Sequence, residues 1–376
     1  MKPIIATICL ALVLSCSPKG AEQNVTLFDA EAFTAEVDGK TTSLYTLKAG
    51  DLVMQVTNFG GRVVSLWVPD KDGKYEDIVL GYNNIENYIN NPGERFLGAV
   101  VGPYANRIAG GTYTIGEETY NFPQNNNGNT LHGGLKGLDM IVWDVDNVTE
   151  NQIVLSVLCP DGNDGMPGNR KIVMTYTLTP ENEFKVDYVA QTDKASHVNI
   201  SHHSFFNLKG EGNGTINDHV LYINASKTTP VDALLIPTGE IVDVAGTPFD
   251  FREPKAIGKD LEVENEQLTH GSGYDHNWVL DRKSESDLEL AASVWEPASG
   301  RYMEVWSDQP ALQFYGGNFF GGETCGKYNK PLNYRESLAL ETQKYPDTPH
   351  NPHFPSTLLN PGETYTHVCI YKFSTK

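Results

Sequence analysis

Short runs in which hydrophobic and polar residues alternate recur along the chain, and segments rich in Gly, Asn, Asp and Pro separate them. In the runs 171–178 and 184–190 every second residue is apolar. A period of two residues is typical of β-strands that bury one face. The segment 297–300 lies between two such runs and predicts a hairpin turn. Only 254–268 has a helical composition, so the chain is predicted to be almost entirely β.

The sequence predicts one large antiparallel β domain, a sandwich or barrel. A length of 376 residues could hold two or three domains, but sandwiches of about 200 residues or more also form single domains. No change of composition, linker or short repeat divides residues 25–376. We therefore expect a folded domain over 37–376, preceded by a tether and N-terminal segment over 16–36.

The first residues resemble an export signal. Lys2 precedes an apolar run over 4–14, which suits a signal peptide but is too short to span a bilayer. The letters V-L-S-C at 13–16 resemble the lipobox of bacterial lipoproteins, in which the cysteine is lipidated and becomes the first mature residue. We therefore predict a signal peptide over 1–15, lipidation of Cys16 and a periplasmic or cell-envelope location.

The balance of charge excludes several partners. The chain has 48 acidic and 28 basic side chains, a formal net charge of −20. Phosphates and anionic lipids repel such a chain when it has no Lys/Arg cluster. We expect a neutral small-molecule ligand, no nucleic acid, membrane contact only through the lipid, and a monomer. Cys159, Cys325 and Cys369 are too widely spaced for a disulfide framework or a zinc motif.

Five polar segments between the predicted strands carry the candidate site residues. Each sets hydrogen-bonding side chains among glycines or aromatic residues. A sugar pocket needs that mixture, because the C–H faces of the ring pack on aromatic surface while the hydroxyls need directional partners. The segments are 102–108 with Asn106 and Arg107, 129–134 with His132, 199–208 with His202 to Phe206, 273–277 with Asp275, and 340–347 with Glu341.

Each residue also has an ordinary structural role that spacing alone leaves open. Arg107 could pair with a surface carboxylate, which is the commoner fate of an arginine. His132, before two glycines, could bond to the loop backbone, and Asp275 could cap a turn. Single residues therefore do not decide the function.

The geometry of β-strands predicts how the side chains of His202, His203 and Glu341 are placed. His202 and His203 would face opposite sides of a strand, so at most one enters a given pocket. Glu341 follows the apolar stretch 338–340. A buried strand end there would desolvate the carboxylate and raise its pKa.

Taken together, the segments resemble the aldose 1-epimerases, also called galactose mutarotases, from about Tyr45 to Tyr371. The resemblance implies the family's fold, a large β supersandwich. It also implies the family's reaction, the interconversion of the α and β anomers of free aldoses such as glucose or galactose in hexose metabolism. The motifs that carry it are N-R at 106–107, L-H-G-G at 131–134, P-G-N at 167–169, H-S-F-F-N-L at 203–208, Y-D-H at 274–276, Q-F-Y at 313–315 with Asn318, and the segment 341–346.

The resemblance implies roles for individual residues. His203 matches the general acid and Glu341 the general base. If they face one another, the charge of Glu341 should raise the pKa of His203. His202 is a departure, because the family commonly has Asn there; it could perturb the titration of His203 or bind something extra. The residues that match sugar-contacting positions are Asn106, Arg107, His132, Ser204, Phe205, Phe206, Asp275 and Gln313.

Three other interpretations stay open at this point. A glycosidase needs two carboxylates that flank a glycosidic bond, and Asp275 and Glu341 could serve, although His203 would then have no role. A sugar-binding lipoprotein would use the same pocket without needing both an acid and a base. A metal site could draw on His202, His203, Asp275 and His276, although no dense metal motif is present.

The predicted reaction requires no cofactor, because anomer interconversion contains no redox step. The chain has neither a dinucleotide-binding glycine loop nor a P-loop. We predict no metal in the catalytic site. Carboxylate and carbonyl oxygens of the acidic surface could hold calcium, so calcium outside the catalytic mechanism is kept as an open alternative.

Overall fold

The computed structural model describes residues 25–376, so the predicted signal peptide and Cys16 lie outside the described residues. The helical elements are α1 (Ile85–Asn90), α2 (Glu266–Gly271) and 3₁₀ turns at Ala30–Phe33, Ala109–Gly111, Leu138–Met140, Asn163–Gly165, Ile257–Asp260 and Thr348–His350. The strands are β1 (Glu36–Val37), β2 (Lys40–Thr41), β3 (Leu44–Ala49), β4 (Leu52–Thr57), β5 (Arg62–Pro69), β6 (Tyr75–Asp77), β7 (Ala99–Val101), β8 (Arg107–Ile108), β9 (Thr112–Ile115), β10 (Glu118–Asn121), β11 (Thr130–Leu131), β12 (Asp144–Val148), β13 (Gln152–Cys159), β14 (Arg170–Leu178), β15 (Glu183–Thr192), β16 (Ser196–His197), β17 (Ser201–His203), β18 (Val220–Ile223), β19 (Lys227–Thr229), β20 (Val242–Asp243), β21 (Lys255–Ala256), β22 (Asp275–Val279), β23 (Glu289–Trp295), β24 (Arg301–Ser307), β25 (Ala311–Tyr315), β26 (Ala339–Gln343), β27 (Leu358–Leu359) and β28 (Tyr365–Thr375).

A nine-stranded antiparallel sheet forms one side of the molecule. Its order is β12-β13-β14-β15-β28-β24-β23-β18-β21, so β28 pairs with β15 on one side and β24 on the other. Along β13, β14, β15 and β28 buried residues alternate with more exposed ones. The alternating runs therefore became strands that bury one face, as predicted.

Two smaller sheets lie against the buried face. One has five strands in the order β20-β19-β22-β25-β26 and the other has four in the order β3-β4-β5-β6. Strands β4, β25 and β26 are buried along their whole length. The main hydrophobic core takes side chains from all three sheets, among them Met54, Tyr176 and Leu340. The prediction of a large antiparallel all-β sandwich is confirmed.

Local predictions had mixed outcomes. The segment 296–300 joins β23 to β24 as a hairpin, and the Glu296 carboxylate accepts the backbone N–H groups of Ala298 and Ser299. The helical interpretation of 254–268 is largely wrong, because a 3₁₀ turn occupies Ile257–Asp260 and α2 begins only at Glu266, capped by Asn265. Within residues 25–376 no helix has the length and apolar character needed to cross a bilayer.

The packed part of the chain begins before the predicted boundary at residue 37. Phe33 is fully buried, and the Gln55 side chain exchanges two hydrogen bonds with the backbone of Phe28. Residues 28–36 thus belong to the folded domain.

A buried ion cluster fastens the long loop 316–338 to β6. Lys327 Nζ donates to Asp77 Oδ2 at 2.5 Å and to the carbonyl oxygens of Val64 and Val79 at 2.7 and 2.6 Å. Glu211 Oε2 is 3.5 Å from the same ammonium. All three ionisable side chains are almost completely buried, so each charge depends on its partners.

Candidate active site

His203 and Glu341 lie beside one another on strands that pack together. His203 is the last residue of β17, and Glu341 is in the middle of β26. The distance from His203 Nε2 to Glu341 Oε1 is 3.3 Å, and the two side chains are only 5% and 2% exposed. The structure therefore places the predicted acid and base within reach of a single substrate.

The pair lies at the wall of a cavity of about 540 Å³. Polar side chains and aromatic rings both line it, as a sugar ring requires. The polar and charged lining residues are Asn91, Glu94, Arg95, Asn106, Arg107, Asn125, Asn126, Asn127, His132, His203, Asp275 and Glu341. The aromatic and aliphatic ones are Phe96, Leu131, Leu135, Phe205, Leu235, Tyr315 and Phe319.

Burial shifts the two pKa values in opposite directions. Loss of hydration lowers the pKa of His203 to about 3 and raises that of Glu341 well above its ordinary range. The negative charges of Asp275 and Glu94 add to the rise at Glu341, and Arg107 opposes it. The expected rise at Glu341 is confirmed. The expected rise at His203 is wrong, because desolvation is the largest influence on its pKa and lowers it, and the charge of Arg62 acts in the same direction.

His132 is held in one tautomer by its own loop. Its backbone adopts a left-handed φ of 52°, and its Nδ1 accepts a hydrogen bond from the Asn106 backbone N–H at 3.1 Å. In a neutral ring the proton then sits on Nε2. Burial lowers the pKa of His132 well below its usual value, helped by the positive charge of Arg107. His132 is therefore a fixed, neutral N–H donor.

The tautomer of His132 removes it from the possible metal ligands in the cavity. Ligand atoms of His132, His203 and Glu341 lie within 4.8 Å of one another. Because Nε2 of His132 carries its proton, it has no lone pair for a metal, and two ligands remain. Of the metal ligands considered from the sequence, His202 faces the hydrophobic core instead. Calcium binding elsewhere stays a prediction.

Arg107 and Asp275 form the centre of a second polar group. Arg107 Nη2 is 3.6 Å from Asp275 Oδ2, and its Nε donates to Asn126 Oδ1 at 3.1 Å. Gln313 stands behind Asp275 and donates through Nε2 to Asp275 Oδ1 at 2.8 Å. Arg107 keeps donors for a sugar hydroxyl and Asp275 keeps acceptor capacity, while Gln313 orients the carboxylate.

The backbone that carries Arg107 is fixed from two sides. Asn106 has a left-handed φ of 64°, and its side-chain oxygen accepts the Arg107 N–H at 2.8 Å. On the other side, the backbone N–H of Asp347 donates to the Arg107 carbonyl at 3.0 Å, and Asp347 Oδ1 accepts the N–H of Ala109 at 2.9 Å. The Asn106 side chain thus shapes the site through the backbone.

His202 belongs to a buried relay on the other side of β17. Tyr176 donates its hydroxyl proton to the Gly61 carbonyl at 2.7 Å, so the same oxygen accepts from His202 Nδ1 at 3.1 Å. His202 Nε2 then accepts from Ser204 Oγ at 2.6 Å. Burial lowers the pKa of His202 to about 3. The two histidines face opposite sides, as predicted, and His202 is a neutral structural residue.

Of the three predicted sugar contacts at 204–206, one lines the cavity and two do not. Phe205 lines the cavity. Ser204 is engaged by His202, and Phe206 packs in the main core with its ring 5.0 Å from that of Tyr371. The prediction that Ser204 and Phe206 contact the sugar is not supported, because a strand that turns His203 towards the cavity also directs part of the following segment into the core.

Several lining residues were missed from the sequence. Glu94 and Phe96 belong to the turn before β7, and Asn126 to the loop before β11. Tyr315 is the last residue of β25, and Phe319 lies in the loop that follows it. Tyr315 was part of the quoted Q-F-Y motif, so a signal for it existed. Glu94 lies in the letters N-P-G-E-R, which indicate a turn and nothing more.

Comparison with known proteins decides the family. The family model described as aldose 1-epimerase matches residues 43–372. The chain belongs to the aldose 1-epimerase family. Galactose mutarotases of Bos taurus and Homo sapiens are 41% and 40% identical to it over 334 and 336 residues, which is 89% of this chain and 94% and 95% of theirs. The aldose 1-epimerase of Escherichia coli (strain K12) is 36% identical over 340 residues, 89% of this chain and 96% of that one.

Solved structures agree with this membership. An aldose epimerase homologue from C. elegans superimposes with a TM-score of 0.81 at 29% identity, covering 89% of this chain and 99% of that one. A galactose 1-epimerase from Lactobacillus acidophilus does so with a TM-score of 0.77 at 29% identity, covering 91% and 97%. As an aldose 1-epimerase, the chain is an isomerase with a small sugar as its substrate, and its chemistry needs no cofactor.

Proposed function

We propose that this cavity interconverts the α and β anomers of a free aldose, with His203 as the general acid and Glu341 as the general base. The single observation that supports these roles is the 3.3 Å approach of His203 Nε2 to Glu341 Oε1 at the buried wall of the cavity. One side chain alone could serve a binding protein. Two groups of opposite proton affinity in contact suit proton transfer in both directions.

The reaction needs two coordinated proton transfers. Glu341 takes the proton of the anomeric hydroxyl while His203 gives a proton to the ring oxygen as the bond between C1 and O5 breaks. The product is an open-chain aldehyde, with one proton removed and one added. Rotation about C1–C2 presents the other carbonyl face. Ring closure then reverses both transfers, and each residue returns to its starting protonation state.

The remaining polar groups would hold the sugar during ring opening. His132 offers a neutral Nε2–H and Arg107 offers guanidinium N–H groups, whereas Asp275 accepts from hydroxyls. Phe205 and Tyr315 supply apolar surface for the C–H faces of the ring. These contacts keep the open chain in place until it closes again.

The acid and base share one proton over a wide range of pH. Burial favours a neutral His203 and a protonated Glu341. Sugar hydroxyls that hydrogen-bond to the carboxylate replace part of its lost hydration and favour transfer of the proton to His203. The reactive arrangement is therefore a second form of the same one-proton pair, and its pKa values belong to the pair.

We expect a broad plateau in kcat/KM around neutral pH. Acidification removes activity only when the pair takes up a second proton, and that limb lies below the ordinary histidine value because the pKa of His203 is lowered to about 3. Alkalinisation removes activity when the pair loses its last proton, above the ordinary carboxyl range because the pKa of Glu341 is raised. Polarimetry with buffer catalysis subtracted measures both limbs. A limb centred near pH 6.5 that disappears in His203→Asn would contradict the shared proton.

Polarimetry with freshly dissolved α-D-glucose and α-D-galactose tests the activity itself. Optical rotation should reach equilibrium faster than in buffer alone, in proportion to protein concentration. Binding without any acceleration would favour the sugar-binding alternative. Release of nitrophenol from nitrophenyl β-D-galactoside would indicate a glycosidase.

We also propose that the mature protein is a lipoprotein of the cell envelope or periplasm. The support comes from the apolar run over 4–14 and from Cys16 in its lipobox-like context. Several acyl chains anchor a protein stably, whereas one chain binds only marginally.

Lipidation makes a clear prediction for phase partition. The full-length protein expressed in a bacterial host should enter the detergent phase almost completely, and Cys16→Ala should move it to the aqueous phase. Cys325→Ala is the matched control, since Cys325 is an exposed cysteine of the folded domain. Wild-type protein in the aqueous phase, with an N-terminus other than residue 16, would count against the anchor.

A further inference from the structure

The turn between α1 and β7 forms a rigid wall of the cavity. Arg95 pairs with Asp139 through two bonds of 2.7 and 2.9 Å, and its Nη1 donates to the Gly134 carbonyl at 2.9 Å. The buried Arg62 donates to the backbone carbonyls of Arg95 and Leu97 at 2.8 and 3.0 Å. These bonds tie the turn to the loop that follows His132, on the same wall of the cavity as His203.

Glu94 lines the cavity from this turn. Its Oε1 accepts the backbone N–H of Phe96 at 2.8 Å, and its backbone carbonyl accepts the Tyr82 hydroxyl at 3.2 Å. Among residues 25–376, Oε2 of Glu94 has no hydrogen bond and no ion pair reaches the carboxylate, because the neighbouring Arg95 is committed to Asp139. One oxygen of a rigidly held carboxylate therefore remains for a ligand.

The charges around the cavity favour a neutral ligand. Glu94, Asp275 and Glu341 all line it. Arg107 is shared with Asp275, and the guanidinium of Arg95 is already paired with Asp139. A bound sugar that carried a carboxylate would add a like charge in a site with few free cations, whereas a hydroxyl can donate to Glu94.

Glu94 also acts on Glu341 through space. Its negative charge raises the pKa of Glu341, in the same direction as burial and Asp275 and against Arg107. Burial raises the pKa of Glu94 itself, as does Asp139, while Arg62 and Arg95 lower it. Removing the charge at Glu94 should therefore make Glu341 easier to ionise.

We propose that Glu94 contacts the substrate: its carboxylate accepts a hydrogen bond from a hydroxyl of the bound aldose, and its charge selects neutral aldoses over sugars that carry a carboxylate. The inference rests on the proposed function and assigns to the same cavity a specificity residue outside the motifs. If Glu94 had only a structural role, Glu94→Gln would have little effect, because the glutamine would keep an Oε1 acceptor for the backbone N–H of Phe96.

The test compares Glu94→Gln with Glu86→Gln, which removes the same charge from an exposed position on the neighbouring α1. With D-galactose, Glu94→Gln should raise KM about 10-fold and leave kcat within about 3-fold, since a hydrogen bond to a charged group is lost. The ratio of kcat/KM for D-galacturonate to that for D-galactose should rise about 10-fold or more. The alkaline limb of the pH profile should move to lower pH. Glu86→Gln should change none of these.

Two outcomes would overturn the proposal separately from the proposed function. In the first, the kinetic constants and pH profile of Glu94→Gln match those of Glu86→Gln, while His203→Asn inactivates the enzyme. That result would show that Glu94 is structural. A wild type without epimerase activity would contradict the proposed function, and calorimetric titration with D-galactose would still test Glu94. Weaker galactose binding in Glu94→Gln would support the contact there, and unchanged binding would overturn it.

Discussion

Glu341→Gln and His203→Asn should each lower kcat by about 10² to 10⁴, because each removes one of the two proton-transfer groups. The fold should be intact, since both substitutions are close in size and the buried polar atoms keep acceptors or donors. His203 Nδ1 and Glu341 Oε2 have no hydrogen-bond partner in the described structure, so neither is needed to complete a network. The double variant should lose little more than either single variant, because the two residues act as a unit.

His202→Asn is the matched control for His203→Asn. His202 sits in the relay between Tyr176 and Ser204, away from the cavity. Its replacement should change kcat by less than about 3-fold but lower the free energy of unfolding by about 1–3 kcal/mol, because buried partners lose their hydrogen bonds. Polarimetry and urea denaturation measure the two quantities. A His202 variant that is stable but inactive, beside an active His203 variant, would reverse the assignment of roles.

Lys327→Met should lower the free energy of unfolding by about 3–5 kcal/mol, since it leaves buried carboxylates without their counterion. Asp77 and Glu211 both reach the ammonium of Lys327, and Tyr328 donates to the same Asp77 oxygen at 2.8 Å. Urea denaturation of the purified domain measures the change. Lys372→Met, at a partly exposed pair with Glu183, is the control and should cost about 1 kcal/mol or less.

The loss in Lys327→Met should depend on pH. Burial raises the pKa of Glu211 to about 7 even with Lys327 present. A raised carboxyl pKa means that the folded state binds more protons, so stability falls as pH rises from the unfolded value towards the folded one. Without Lys327 this penalty grows, and the variant should be less impaired at pH 5 than at pH 8. Glu211→Gln added to Lys327→Met should recover part of the loss; no recovery would show that the carboxylates are not its cause.

Sequence reasoning reached the fold and the proposed catalytic pair for different reasons. The alternation of apolar and polar residues over 171–178 indicates a strand with one buried face, and it can be read from neighbouring residues alone. His203 and Glu341 were identified by their motifs, and only the approach of β17 to β26 shows that they meet. Ser204 was misplaced because the motif does not reveal which way a hydroxyl turns when His202 competes for it.

Other features depend on contacts that no local pattern encodes. Glu94 owes its position to Arg95 and Asp139, which are far apart along the chain and meet only in the folded structure. The lowered pKa of His203 is likewise a property of the assembled core, since desolvation is its largest cause. The short helix α1 was missed, although Asn84 accepts the Asn87 N–H as an N-cap, because six residues are too few for a periodic signal.

The position of β28 has a consequence for biogenesis. Both of its neighbours, β15 and β24, precede it along the chain, yet it is inserted between them. While a ribosome is still making the polypeptide, the nine-stranded sheet remains two unjoined halves with open edges. A translocation channel accepts unfolded chains, so, if the chain is exported as proposed, the insertion of β28 after its neighbours would help to keep the precursor competent for passage and delay activity until it has crossed.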